Sequence, residues 1–367
     1  MKVVLVHDWL TGMRGGEKVL ESVCRLFPDA DVLTLVHIPG TVSPLIEARR
    51  IRTSVVQRLP GAARFYRQYL PVFPVAIELF DLDDVDLVVS TSHCAAKAVV
   101  PTGRAVHVCY CHSPMRYAWD QFEAYFGEAR LGRLGHAAAR HLLARLARWD
   151  RATAPRVDRF LANSHHVAGR IGRYYNRRAS VLYPPVDTRV FTPGDAPPDR
   201  YFLVVAALVP YKRLDIAIRA AERLGAPLKI VGTGPDEGRL RAMAGPLVEF
   251  AGTLGEVQLR DAYRKARALV MPGEEDFGIA PVESLACGRP VVALGRGGAC
   301  ESVEDGVTGA LVPTSSVEAF AEAMDAVGRA NYDPITLQAK AAPFAIEQFE
   351  AALRNRVAET LQTPRQW

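Results

Sequence analysis

The sequence predicts an α/β protein made of two parallel-sheet lobes that face a cleft. Three observations carry this. Apolar strand-like runs alternate with helical patterns through the whole chain, as crossover-connected parallel strands require. The runs fall into two sets, and a stretch rich in Pro and Gly separates them. At 367 residues the chain is also too long for one ordinary core and suits two domains.

In the first set the expected strands are 2–7, 31–35, 87–90, 106–109 and 159–162. Those of the second set are 201–206, 228–231, 248–251, 268–271, 290–293 and 309–312, with helices between them such as 214–224 and 259–266. Between the sets, Tyr183-Pro184-Pro185-Val186-Asp187 through Gly194-Asp195-Ala196-Pro197-Pro198 can continue neither a helix nor a central strand. The domains are therefore drawn at 1–185 and 186–343, two Rossmann-like lobes. An amphipathic helical pattern over 344–367 is expected to cross back onto the first.

Half the residues are hydrophobic and 23% are charged, a globular balance without a disordered tract. A net charge of +5 suits phosphorylated ligands or an anionic surface and is too small to argue for nucleic acid. No signal peptide is expected, because the run Val3-Val4-Leu5-Val6 ends at His7-Asp8. No apolar stretch reaches the roughly 18–20 residues of a membrane span. A cytoplasmic protein follows, or one peripheral on the inner face of the membrane. The cysteines, Cys24, Cys94, Cys109, Cys111, Cys287 and Cys300, are then reduced thiols. His107, Cys109, Cys111 and His112 crowd together, but without a Cys-x-x-Cys pair they read as buried strand residues, and no metal is assigned. Asp81, Asp83, Asp84 and Asp86 imitate an Asp-x-Asp metal motif and read as a charged turn.

Residues 126–151 break the alternation, with Arg130, Arg133, Arg140, Arg145, Arg148 and Arg151 among Leu and Ala. Such a helix can lie on an anionic membrane or pack its Leu142, Leu143, Leu146 and Trp149 face on the lobe. Both readings stay open.

The chemistry is expected where strands end in glycine and charge. Glu275-Asp276-Phe277-Gly278 follows the run Ala268–Met271 and turns into a helix carrying Glu283. A helix N-terminus there offers free N–H groups and a positive dipole end to a phosphate, and carboxylates accept from sugar hydroxyls. Lys212-Arg213, between a strand and the helix at Leu214, suits a diphosphate. Gly15-Gly16-Glu17-Lys18 opens a helix and lets a ligand approach the backbone. Gly297-Gly298 again follows a strand and offers N–H groups. Gly232-Thr233-Gly234-Pro235 imitates a dinucleotide fingerprint, with Glu249 near the distance of a ribose-binding acid.

Basic loop, Gly-Pro turn, Glu275…Glu283 and Gly-Gly-x-x-Glu, in that order, resemble the retaining family-4 glycosyltransferases of the GT-B fold. The resemblance covers nearly the whole chain. It includes His112-Ser113-Pro114-Met115-Arg116-Tyr117-Ala118-Trp119-Asp120, Ala162-Asn163-Ser164 and Tyr183-Pro184-Pro185-Val186-Asp187. These most resemble the bacterial branch rich in O-antigen and exopolysaccharide mannosyltransferases. By position, the resemblance implies that Glu275 binds hydroxyls of the donor sugar and Glu283 the ribose. Lys212 neutralises the diphosphate, the backbone of Phe277-Gly278 touches the sugar, and His112 lies near the reacting carbon unless it is only a structural strand-end residue. Gly15-Gly16 approach the phosphates and the acceptor.

The implied reaction moves a hexose, mannose from GDP-mannose by preference, to a glycan or polyprenyl-linked acceptor. No cofactor is expected beyond the nucleotide sugar itself. Family members commonly carry Arg five residues before the lysine, where Ala207 stands, so Arg213 or another Arg must compensate. A nucleotide-sugar epimerase, an NAD-dependent oxidoreductase and a non-catalytic nucleotide-sugar-binding protein are the rival readings.

Overall fold

A computed structural model describes residues 1–103 and 105–363, except the side chains of 124 and 128–131. The chain forms two compact units. One is Met1–Pro185 together with the chain from Glu347 onward, and the other is Val186–Ile346.

The first unit holds a seven-stranded sheet in the order β3-β2-β1-β4-β5-β6-β7. Its strands are β1 (Val3–His7), β2 (Asp31–Thr34), β3 (Ile51–Thr53), β4 (Leu87–Ser92), β5 (Val106–Cys111), β6 (Arg159–Ala162) and β7 (Ala179–Val181). Every pairing is parallel, with Val4 opposite Val88 and Ser90 opposite Cys109. Parallel strands need helices on both faces, so their residues are apolar on both sides. Val4, Val6 and Val88 accordingly enter one core, and Leu5, Leu87, Val89 and Val108 the opposite one.

The helix Ile346–Gln362 completes that second core with Phe349, Leu353 and Val357. Ion pairs Arg25–Glu350 at 2.7 Å and Arg159–Glu359 at 2.8 Å fasten its polar side. The last part of the expected pattern, 364–367, lies outside the described residues. Cys109 and Cys111 pack with Phe160 and Ala162. Burial pushes the Cys109 thiol up to about 12, the behaviour of a core thiol.

The second unit holds six strands in the order β10-β9-β8-β11-β12-β13. They are β8 (Phe202–Val205), β9 (Leu228–Val231), β10 (Val248–Gly252), β11 (Leu269–Met271), β12 (Val291–Leu294) and β13 (Gly309–Val312), again all parallel. The helix expected at 259–266 begins earlier, as Glu256–Lys265.

β3 and β7 were not expected. Each is a three-residue edge strand, and none of their residues is fully buried, so no apolar run marks them. β4 and β5 also run two residues beyond their expected ends, through Thr91-Ser92 and Tyr110-Cys111.

The Pro/Gly stretch is strapped to the second lobe rather than loose. Phe191 is fully buried, with its ring 5.9 Å from that of Tyr263. Arg264 donates to Thr192 O at 2.6 Å and Arg289 to Ala196 O at 3.2 Å.

The basic segment forms helices Phe122–Phe126 and Glu128–Ala152, the latter broken at Gly132 (φ 68°). Leu143, Leu146 and Ala147 are buried, so this helix spends its apolar face on the lobe. The Arg130 side chain lies outside the described residues. Among the described residues, no helix is long and apolar enough to cross a membrane.

Candidate functional site

In an open parallel sheet, ligands gather beyond the strand C-termini where the strand order reverses. The second sheet reverses between β8 and β11, and the first between β1 and β4. Both groups of expected residues lie at these points.

In the second lobe, β8 runs into the turn Pro210–Lys212, then Arg213 in the left-handed region (φ 52°), then the helix Leu214–Leu224. β11 is followed by Pro272-Gly273, which leads to Glu275. Lys212 and Glu275 form an ion pair across the switch point, both largely buried. They line a small pocket with Ala206, Met271, Pro272 and Ala280. Gly273 is the unexpected member of this site. A Cβ there would stand 2.7 Å from Lys212 Cα, so only glycine lets the two loops close on each other.

The neighbouring loop fixes the Glu275 backbone. Gly298 N–H donates to Glu275 O at 2.8 Å, and a Cβ on Gly298 would lie 2.2 Å from Phe277 Cα. Gly297 (φ 68°) is as crowded, 2.4 Å from Glu275 O. Contrary to expectation, the Gly298 N–H holds this loop instead of awaiting an anion. The Phe277 ring is 2% exposed and packs 5.6 Å from Phe344. Gly278 turns the chain (φ 84°) into the helix Ile279–Ala286. On that helix Glu283 is buried and accepts from Tyr263 Oη at 2.8 Å, a partner that sequence reasoning missed.

Arg213, the expected substitute for the missing arginine, carries its guanidinium on the neighbouring Asp215, bonded twice with each contact at 3.2 Å. Ala207 itself is exposed. The Gly232-Thr233-Gly234 turn also has a different task from a dinucleotide loop. A Cβ at Gly232 would fall 1.9 Å from Ala206 O, and one at Gly234 2.3 Å from Leu208 O. The space those glycines clear is filled by the chain's own backbone.

In the first lobe, Gly15 and Gly16 open the helix Gly15–Leu26, and His112 follows β5. A Cβ at Gly16 would sit 3.6 Å from both His112 Nε2 and His7 Cε1. Around them stand four ionisable residues not singled out from the sequence: His7, Asp8, Glu17 and His93. Asp8 is fully buried and accepts from the backbone N–H groups of His93, Cys94, Ala95 and Ala96 at 2.6–2.9 Å, and its carboxylate lies 3.0 Å from His93 Nδ1. Burial works against its charge, yet His93 and these bonds outweigh it and hold the carboxyl well below the usual range.

His7 Nδ1 meets Thr91 Oγ1 at 2.7 Å, and its Nε2 is 3.7 Å from Glu17. Burial, then the neighbouring His93 and His7, push His112 down to about 3. It is a neutral imidazole at neutral pH, and its Nε2 is sealed from solvent without a hydrogen-bond partner. The strand-end pair His7-Asp8 was the available signal for this cluster.

The segment after His112 is anchored from below. Buried Lys97 pairs with Asp150 at 3.0 Å, and Asp150 accepts from Trp119 Nε1 at 2.8 Å. Trp119 stacks on Tyr174 at 4.7 Å, and Arg170 pairs with Asp120. Among the described residues no group of three or more His, Cys, Asp or Glu could hold a metal ion.

Residues 13–190 match the family model described as Glycosyltransferase Family 4, and residues 199–329 the model described as Glycosyl transferases group 1. A D-inositol 3-phosphate glycosyltransferase of Mycolicibacterium gilvum is 34% identical over 206 residues, 49% of this chain and 46% of that one. The chain thus aligns with about half the length of the curated relatives it matches. Among solved structures, Anabaena HepE in complex with UDP superposes with a TM-score of 0.70 at 18% identity, covering 98% of this chain and 99% of that one. Sucrose-phosphate synthase from Thermosynechococcus elongatus gives 0.72 at 15% identity, with 98% and 99% covered. Likeness at such identity shows the fold, two parallel-sheet domains of the GT-B type.

Proposed function

We propose that this chain, built of a Glycosyltransferase Family 4 domain followed by a Glycosyl transferases group 1 domain, transfers a hexose from a nucleotide sugar to a hydroxyl acceptor. The observation that carries the reading is the Lys212–Glu275 pair at the second sheet's switch point, on loops held together by Gly273 and Gly298. A diphosphate leaving group would draw the Lys212 ammonium, and the freed Glu275 carboxylate would accept from the sugar hydroxyls. Glu283 would take the ribose hydroxyls, and the backbone of Phe277-Gly278 the sugar.

Charge developing on the departing phosphate calls for a fixed cation and helix N-termini. In a retaining front-face reaction, the bond from the anomeric carbon to the phosphate oxygen breaks as the acceptor oxygen bonds on the same face. The acceptor proton passes to the departing phosphate. No cofactor enters this scheme. In the first lobe, Gly15, Gly16 and neutral His112 would serve the acceptor and the reacting carbon.

GDP-mannose is the donor we assign from the 112–120 resemblance, with UDP-hexoses as its competitors. The acceptor assigned is a glycan or polyprenyl-linked glycan in polysaccharide synthesis, met at the inner face of the membrane. The name of the curated relatives favours a second acceptor, a phosphorylated polyol. A thermal-shift panel of nucleotide sugars tests the donor, since a ligand that binds only the folded state raises its stability. A selective rise with GDP-mannose supports the assignment. A rise with UDP-hexoses alone replaces the donor, and no rise with any nucleotide sugar removes the function.

A further inference from the structure

Residues 48–77 contain no Asp or Glu, but do contain Arg49, Arg50, Arg52, Arg58, Arg64 and Arg67. Within this stretch the chain makes short turns, Val55–Arg58, Ala62–Phe65, Tyr66–Val72 and Phe73–Glu78. Pro60, Pro71 and Pro74 keep it from becoming one helix. One side of the stretch is core: Val56, Tyr66, Phe73, Ala76 and Ile77 are buried. Apolar side chains in the same stretch are also exposed. Val55 is 45% exposed, Phe65 42%, Val72 36%, Val75 60% and Leu79 65%.

Scattered single hydrophobics on a surface need no explanation, but five within residues 55–79, one of them an aromatic ring, do. Arg58, Arg64 and Arg67 are exposed too, and none of them is in an ion pair among the described residues. Arg64 and Arg67 lie 5.2 and 5.3 Å from the Phe65 and Tyr66 rings. Glu78, the acid that ends the stretch, is taken up by Arg156 and Trp149.

We propose that this face, residues 55–79, docks the protein on an anionic lipid surface. Phe65, Val72, Val75 and Leu79 would enter the interface, and Arg58, Arg64 and Arg67 would meet the headgroups. Apolar side chains interleaved with unpaired arginines match that surface on both counts, whereas a nucleic acid would leave the hydrophobics exposed. The helix Glu128–Ala152 is the weaker candidate, because Leu134 is the one exposed large hydrophobic among its described side chains. The proposal goes beyond the transfer reaction and uses none of the residues assigned to it.

The test is co-sedimentation of the full chain with phosphatidylcholine vesicles, with and without 30% phosphatidylglycerol. Expected is binding to the anionic vesicles that high salt weakens. The triple variant R58Q/R64Q/R67Q should lose about a hundredfold in partition, from about tenfold or less per arginine at the surface. Phe65→Ser with Val75→Ser should lose at least tenfold, and Val75→Ser alone, at the more exposed of the two sites, a clear part of that. Arg145→Gln with Arg148→Gln and Arg151→Gln, on the helix, should keep binding within twofold. Absence of wild-type binding overturns the proposal. So does retention by the 58–75 variants, or loss confined to the helix variant. A wild-type dimer that these variants dissociate, without vesicle binding, would make the face a protein interface instead. Because the readout is sedimentation, its failure leaves the donor-site reading standing, and the reverse holds as well.

Discussion

The two lobes share a sheet plan yet build their sites in opposite ways. In the second lobe the pieces lie in short runs at the ends of β8, β11 and β12: Lys212, then Gly273 to Gly278, then Gly297-Gly298. Lys212 and Glu275 pair across two of these loops, and the glycines there are spent on bringing backbones together. In the first lobe the pieces are single residues between His7 and His112, joined only because β1, β4 and β5 lie side by side. There the charges are buried and fixed by backbone, with Asp8 alone taking four N–H groups. The difference teaches that one site rests on an ion pair between two loops, while the other is a polar floor fixed by backbone. Substitutions at Lys212 and Glu275 should therefore cost activity with the fold intact, and those in the buried floor around Asp8 should cost stability as well.

The largest effect expected is on turnover. Lys212→Ala or Glu275→Gln should lower sugar transfer, or donor hydrolysis, by about a hundredfold or more with the fold intact. Near-normal rates in both would erase the second-lobe half of the comparison.

Next, Asp8→Asn keeps shape but turns an amide N–H₂ toward N–H donors. A loss of about 3 kcal/mol in urea unfolding is expected, more than at Lys212. A neutral result would show that the backbone does not fix the floor.

A pH scan sharpens the contrast further. His112 has a folded pKa lowered to about 3 from an ordinary value of 6.5, so the unfolded chain takes up its proton first as pH falls. The stability it confers is complete above the unfolded value and is lost on acidification toward the folded one. Between pH 7.5 and pH 5 that amounts to ~2 kcal/mol, which His112→Gln should abolish. Unchanged pH dependence in the variant would mean that His112 is not held neutral by its surroundings.

The smallest effect is a gain. Ala207 is exposed five residues before Lys212, where the resembling family carries Arg. Ala207→Arg should tighten nucleoside diphosphate binding by up to about tenfold, as one added charge-assisted contact would. No gain in calorimetry would show that this chain's site has rearranged without that arginine.

What the sequence disclosed follows the same division. Buried parallel strands announce themselves as apolar runs, whereas β3 and β7 are three residues each with none of them fully buried, and left no run to find. The positions of Lys212 and Glu275 at the second sheet's switch point were legible because glycine and charge sit together after a strand, whereas Gly298 spends its N–H on the Glu275 carbonyl. Gly273 was visible only as a strand-ending Pro-Gly, since its reason is the Lys212 backbone of another loop. His7-Asp8 and Glu17 stood in quoted motifs, but their meeting with His93 depends on strand order and on the helix Gly15–Leu26, and so was overlooked. The Arg-rich helix was recognised, but which way its leucines faced depended on packing. The glycines at Gly232 and Gly234 looked like a phosphate loop and serve backbone contact with Ala206 and Leu208.

The most direct test of the division between the lobes is calorimetric binding of nucleoside diphosphate to the wild type, Lys212→Ala and His112→Gln. The account predicts at least tenfold weaker binding for Lys212→Ala and an unchanged affinity for His112→Gln. Equal affinities in all three, or a loss confined to His112→Gln, would contradict it.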